Sequence, residues 1–426
     1  AAGSIQVATA GSTTATTINF SAPNDPSSAH DAQLHPDGAI AYLPGITQYA
    51  NRGDWGSIST GGDNLLTPAT KVKGYKGFAA NGFSLGSLGG YVQYDFSSNP
   101  IQNLDTNPYG VDFVVYGNAF NGNPEAAAVQ VYAQEVLSDG TLGDYKWYEL
   151  AGSMYYSDSA VRNATVYYTK DNAGLHAAVN GVTHSQDPFT TAATWFPTKS
   201  DMNHEATSGI NNTLTNTYIT EYTANTLKFA GITSIPDSDS NADYARRCSL
   251  RHAALPSRLP DGTPVTPYTP YTSDKDGGDG FDLAWAVDIS TGEPVKVNNA
   301  KYVRIYSAVL YNTGIFGETS PEITGIFRTN GTVTAATTAT PTVKVNGQTV
   351  TPAVAGEEIP VVTGTTDEEA LISVVATDSS HVFINDAIAN EHSFTFTEDE
   401  TLIRVIVQDD STAAPYIGYI KLQGER

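Results

Sequence analysis

The sequence predicts an all-β protein: an antiparallel β-sandwich carrying a long irregular insertion, followed by a small second β-sandwich. Three observations carry that expectation. From Gly89 onward apolar residues recur at every second position, the period of a half-buried strand, and no long segment shows the 3.6-residue period of a helix. Charged residues are only 16% of the chain, whereas it holds 38 glycines and 24 tyrosines, a balance typical of secreted β-rich proteins. A low-complexity run, Thr332 to Pro341, divides two strand-rich regions.

In chain order, Ile5-Gln6-Val7-Ala8 and Thr17-Ile18-Asn19-Phe20 are the strand candidates of the first sixty residues, which otherwise mix Ser, Thr and Ala with turn residues. Tyr91 to Phe96 alternates, Val111 to Tyr116 is a run of the fully buried type, and 128–134 places Val129, Val131 and Ala133 on one face. We expect these to be neighbours in one sheet, continued by Trp147 to Leu150 and Ala164 to Thr169. Residues 170 to 275 are irregular, with only Thr226 to Ala230 clearly strand-like, and a loop excursion of that length is usually functional. Strands resume at Lys301 to Val309 and Ile323 to Phe327 and close a first domain over residues 1–331. A linker over 332–341 follows. Short strands near Ile372, Phe394, Leu402 and Ile417 then build a second domain over 342–426.

Composition narrows the partners. The chain has 426 residues with 22 Lys plus Arg against 45 Asp plus Glu, a net charge of −23, which opposes binding to nucleic acid or anionic lipid. The single cysteine, Cys248, forms no intramolecular disulfide. No apolar run approaches the roughly 18 residues of a membrane-spanning helix. These features point to an extracellular protein, on a bacterial surface rather than a small disulfide-stapled module, and to a monomer.

Several stretches could carry chemistry. Gly82-Phe83-Ser84-Leu85-Gly86 matches the Gly-x-Ser-x-Gly hydrolase elbow, but that device needs a strand before it and a helix after it, and the plainer reading is a turn leading into Tyr91. Asp237, Asp239 and Asn241 occupy alternate positions as in a calcium loop, although Ala242 and Cys248 stand where that motif requires glycine and glutamate. The densest acidic stretch is Asp274 to Asp282, whose aspartates repel one another unless a cation lies among them; Asp276, Asp279 and Asp282 are the candidate ligands for Ca2+. Exposed aromatic rings stack on sugars and other flat faces, which makes Tyr155, Tyr156 and Trp195, beside or within the insertion, candidate ligand-binding residues. Glu125, Glu149, Glu318 and Asp282 are the carboxylates a glycosidase reading would nominate.

Five ordered blocks give a family resemblance. They are Tyr109 to Phe120 (YGVDFVVYGNAF), Asn123-Pro124-Glu125, Trp147 to Ser153 (WYELAGS), Gly277 to Asp288 (GGDGFDLAWAVD) and Gly317 to Ile323 (GETSPEI). The first domain thereby resembles an uncharacterised family of bacterial cell-surface proteins, which implies a jelly-roll or galactose-binding-like sandwich. Asn118 and Glu125, within those blocks, join the candidate ligand-binding residues. The second domain is similar to the Ig-like or cadherin-like modules that space out bacterial surface proteins. The resulting expectation is a non-catalytic surface protein, steadied by Ca2+ and holding a carbohydrate or other small ligand. The alternatives are an adhesive protein binding another protein, a glycan-active hydrolase, and capture of a cofactor such as a corrinoid or porphyrin.

Overall fold

In the computed structural model, the residues described are 3–7, 16–20, 35–43, 45–46, 83–107, 110–117, 127–152, 154–171, 174–183, 219–223, 226–235, 278–310, 320–329, 338–376, 381–408 and 413–425. Strands dominate these residues, and the helical element among them is one 3₁₀ turn, Leu283–Trp285. The all-β expectation holds.

The main sandwich pairs a seven-stranded sheet with a four-stranded one. The larger sheet runs, in spatial order, through Ala286–Asp288, Leu142–Leu150, Ala127–Val136, Val297–Ser307, Tyr91–Asp95 and Gly38–Leu43, with Ile101–Gln102 also pairing to Val297–Ser307. The smaller sheet is Gly278–Phe281, Phe113–Gly117, Glu322–Arg328 and Phe83–Ser84. Between them lies a core of Val92, Tyr94, Val129, Val131, Tyr148, Val303 and Ile305 from one side and Phe113, Val115, Phe281 and Ile326 from the other. Successive side chains point to opposite faces of a strand, so Val129, Val131 and Ala133 enter this core together.

Three expectations are corrected. The run around Phe113–Gly117 does not neighbour Tyr91–Asp95 or Ala127–Val136; it belongs to the opposing sheet, and the central Val297–Ser307 strand separates the other two. Gly38–Leu43, which no clear alternation marks, is an edge strand of the larger sheet. The described residues after Thr169 are also more regular than their composition indicates. Val161–Asp171, Gly174–Val179, Val182–Thr183, Ile219–Thr223 and Thr226–Ser234 form a five-stranded sheet. Ala164, Val166, Tyr168, Leu227, Phe229 and Ile232 pack this sheet against Leu43, Tyr91, Ala128 and Tyr306, making a third layer over one end of the larger sheet. Gly90 lies where that end closes: a Cβ there would meet the Leu85 carbonyl oxygen at 1.9 Å.

Residues 338–425 build a second sandwich. One sheet is Gln348–Val350, Thr342–Val345, Glu369–Val375 and Glu391–Thr395; the other is Val361–Thr365, Tyr416–Glu425, Thr401–Gln408, His381–Ile384 and Ala387–Ile388. The two faces of Thr401–Gln408 serve different cores. Ile403, Val405 and Val407 turn into their own sandwich, while Ile406, with Phe383, joins the core of the first. This explains the unbroken apolar run interrupted only by Arg404, since a strand covered on both faces loses its alternation.

Arg404 is buried at the junction. Its Nη1 donates to the Ala151 carbonyl and its Nη2 to the Gly152 carbonyl at 2.9 Å, and the guanidinium lies 4.6 Å from the Tyr156 ring centroid. Lys421 bridges Glu293 of the first sandwich and Glu400 of the second, at 2.9 Å to each. The second sandwich is thus docked through buried contacts rather than strung on a tether. Replacing Arg404 by Ala leaves the buried Ala151 carbonyl without that donor and the Gly152 carbonyl with the Tyr155 amide at 3.3 Å, so it should cost on the order of 3 kcal/mol in urea denaturation and separate the unfolding of the two sandwiches. A single unshifted transition would show that Arg404 carries no junction energy.

Candidate functional site

The larger sheet has one face in the core and another facing outward, and strand alternation determines what the outer face displays. Leu142–Leu150 presents Tyr145, Trp147 and Glu149; Ala127–Val136 presents Gln130, Tyr132 and Gln134; Tyr91–Asp95 presents Tyr91 and Gln93. On Val297–Ser307 the register shift between Ala300 and Tyr302 matters. Without that extra residue Tyr302 and Arg304 would turn inward; with it they share the outer face with Asn299.

Cross-strand pairing then gathers the aromatics. Tyr132 lies opposite both Trp147 and Tyr302. Its ring centroid is 5.6 Å from Tyr145, 5.5 Å from Trp147 and 5.5 Å from Tyr302. Lys301 Nζ sits 4.1 Å from the Tyr145 centroid. Amides edge the rings: the Tyr145 hydroxyl donates to Asn299 Oδ1 at 2.6 Å, Asn299 Nδ2 to Gln134 Oε1 at 3.4 Å, and Gln134 Nε2 to the Gly143 carbonyl at 3.1 Å. Tyr132, Tyr145 and Tyr302 are half-buried, so part of each side chain remains open to solvent. Trp147 is only 8% exposed, and its Nε1 has no hydrogen-bond partner among the described residues.

Beyond the tyrosines the same face passes under the third layer and becomes an enclosed polar network. Arg304, 2% exposed, donates to Gln130 Oε1 at 3.2 Å and Gln93 Oε1 at 3.1 Å, and its guanidinium lies 4.2 Å from the Trp147 ring and 5.1 Å from that of Tyr91. Glu149 receives the Tyr306 hydroxyl at 2.7 Å and Gln130 Nε2 at 3.1 Å. Gln130 Nε2 also reaches the Gly231 carbonyl, and the Thr233 amide donates to the Tyr306 hydroxyl, tying the third layer down. Burial pushes the Glu149 carboxyl up to about 8, against the lowering effect of Tyr306, Gln130, Thr233 and Arg304.

The residues nominated from sequence fall elsewhere. Tyr155 and Tyr156 are buried, edge-to-face at 5.0 Å, in a cluster with Ala151 and Val287 against Leu402 of the second sandwich, rather than displayed to solvent. Trp195, Asn118, Glu125, Asp276, Asp237, Asp239 and Asn241 lie outside the described residues, as does Glu318. Asp279 lies on the Gly278–Phe281 strand opposite Val115. Asp282 caps the 3₁₀ turn, its Oδ1 receiving the Ala284 amide at 2.7 Å. Its buried neighbour is Asp112, and burial raises both carboxyls, with Asp282 raising Asp112 further. Ser84 is fully buried, its hydroxyl bonded to that of Ser320, and bends and turns rather than a helix follow it. Among the described residues no group of three or more His, Cys, Asp or Glu is placed to hold a metal ion.

Sequence reasoning missed the tyrosine face because each ring sits in a different strand. A signal was present: Tyr132, Tyr145 and Tyr302 occupy positions that the alternation assigns away from the core, where a large aromatic has no folding role to fill.

The Glu149 carboxyl gives a pH dependence. A buried acid whose folded value exceeds its unfolded one keeps its proton in the folded state while the unfolded chain has lost it. Stability therefore falls as pH rises from about 4.5 towards 8 and levels above. Glu149→Gln keeps the hydrogen-bonding shape without the charge. Its stability relative to wild type should improve between pH 5 and pH 9 in denaturant titrations; a constant difference would mean that Glu149 does not titrate in this window.

No family model matches the chain, and no curated protein matches it. Among solved structures it is similar to the fibronectin(III)-like modules of Clostridium thermocellum CbhA, at 13% identity and a TM-score of 0.13, over 31% of this chain and 71% of that one. A similarity at that level adds nothing to the fold described above.

Proposed function

We propose that this is an extracellular, non-catalytic binding protein that holds a carbohydrate on the outer face of its larger sheet. The observation that carries the reading is the group formed by Tyr132, Tyr145, Tyr302 and Trp147, with ring centroids about Tyr132 at 5.5 to 5.6 Å and amides at its edge. The half-exposed rings supply flat apolar surface for the C–H faces of a sugar. Gln134, Asn299, the tyrosine hydroxyls and Lys301 supply donors and acceptors for its hydroxyls. Rigid strands position these groups before any ligand arrives, which lowers the ordering cost of binding. The low fraction of charged residues and the strong negative charge favour a neutral ligand over an anionic one.

A glycan array followed by calorimetry with the full chain tests the reading. Tyr132→Ala and Tyr302→Ala should each weaken binding about tenfold, about 1.4 kcal/mol, while Tm moves little, because both rings are half-exposed. Trp195→Ala should leave affinity unchanged. Binding that depends on Trp195 and ignores Tyr132 would move the site to the 170–275 region, and binding to other proteins but to no glycan would favour the adhesive alternative.

A further inference from the structure

We propose that the tyrosine face is a track for a single extended chain of a β-1,4-linked polysaccharide, laid across the strands and held along its interior. This rests on the carbohydrate reading above and names the class of glycan. Strand register carries the argument. Residues that are partners on adjacent strands share a face and line up, and three such rows cross the outer face of the larger sheet. The first is Glu149, Gln130, Arg304 and Gln93, each no more than 2% exposed beneath the third layer. The second, two residues further along every strand, is Trp147, Tyr132, Tyr302 and Asp95. The third is Tyr145, Gln134, Asn299 and Gln102.

The covered first row sets the direction. A chain laid along the strands runs into the third layer, whereas one laid across them follows that layer's edge and meets the second and third rows throughout. The two rows differ as the parts of a sugar chain differ: the second offers rings for C–H faces, and the third offers amides and a phenol for hydroxyls. Both ends of the track are open. The second row passes from Asp95 to Gly38 on the edge strand, which adds no side chain. At the other end, Ala286–Asp288 pairs with Tyr148 to Leu150, and among the described residues no strand pairs beside Tyr145.

Spacing selects the linkage. Adjacent strands lie about 4.8 Å apart, and the ring centroids of Trp147, Tyr132 and Tyr302 follow one another at 5.5 Å. That interval is close to the advance per sugar of an extended β-1,4-linked chain, so consecutive units meet consecutive strands, whereas a coiled α-1,4-linked chain turns away. Ring tilt selects a free chain over a crystal. Trp147 and Tyr302 are inclined to Tyr132 by 52° and 40°, so no flat lattice face meets all three at once, while one chain can follow the twist of the sheet. Side chains from the strands at Tyr145, Tyr132, Tyr302 and Asp95 therefore hold about four units. Asp95 and Gln102 form the far end. Asp95 is partly exposed, with its Oδ1 accepting the Ser97 amide at 2.7 Å, and Gln102 is exposed opposite Asn299.

The test is calorimetry of the full chain with cello-, manno- and xylo-oligosaccharides of one to six units, with the malto series as the coiled control. In at least one β-1,4 series affinity should climb several-fold with each unit to about four and then level. A hexamer reduced to its alditol should bind as well as the unmodified one, and microcrystalline cellulose should not retain the protein. Asp95→Asn and Gln102→Ala should each weaken the tetramer several-fold and the dimer far less, with Tm nearly unchanged because both side chains are partly or fully exposed. Affinity that is flat beyond the dimer, lost on reducing the terminal sugar, indifferent to both substitutions, or confined to glycans of other linkages would overturn the track and leave the carbohydrate reading standing. Absence of binding to every glycan would overturn both.

Discussion

The structure depends on the Val297–Ser307 strand being covered on both sides. It is the central strand of the larger sheet, hydrogen-bonded to Ala127–Val136 on one side and to Tyr91–Asp95 and Ile101–Gln102 on the other. Val303 and Ile305 enter the sandwich core, and at about 25 cal/mol per Å² of apolar surface buried such residues supply most of the folding energy. The opposite face of the same strand has no such simple task. Tyr306 and Arg304 are covered by the third layer, whereas Tyr302 and Asn299 are left at its margin. Every residue on that face owes its environment to how far the third layer extends.

A gradient from dry to wet follows along one surface. Under the third layer, polar side chains are enclosed and must satisfy one another, which produces the linked set of Arg304, Gln130, Gln93, Glu149 and Tyr306. A glutamate in that setting holds its proton up to about pH 8. Past the layer's edge Tyr132, Tyr145 and Tyr302 stay partly exposed, and that part of the sheet is where we propose a carbohydrate binds. The junction with the second sandwich repeats the contrast. Arg404 is enclosed and satisfied at both Nη atoms, while the buried Tyr419 hydroxyl on the neighbouring strand has no partner among the described residues.

Legibility differed between fold and site. Alternation in Tyr91–Asp95, Ala127–Val136 and Val297–Ser307 announced strands because burial on one face imposes a two-residue period that is local in sequence. Assignment to sheets was not local: Phe113–Gly117 reads like its neighbours but pairs with Glu322–Arg328, about two hundred residues later. The Gly277 to Asp288 block shows the same limit. Phe281, Leu283, Trp285 and Val287 are all buried as alternation suggests, yet not on one strand. The chain pairs with Phe113–Gly117, makes a 3₁₀ turn, and then pairs with Leu142–Leu150 in the other sheet. Asp282 sits at that change of sheet, which is why it could be singled out from sequence while its partner Asp112, some 170 positions earlier, could not.

By itself the sequence determined the fold class, the position of most strands, the face of each that enters a core, and an acidic, lightly charged surface, because all of these follow from local spacing and composition. Only the tertiary structure decided which outward aromatics stand together. Tyr132, Tyr145, Trp147 and Tyr302 meet through strand register and one β-bulge, whereas Tyr155 and Tyr156, adjacent in sequence, vanish into the junction when the second sandwich docks. The physical reason is that burial is a property of what lies above a residue, and the covering elements here come from distant parts of the chain.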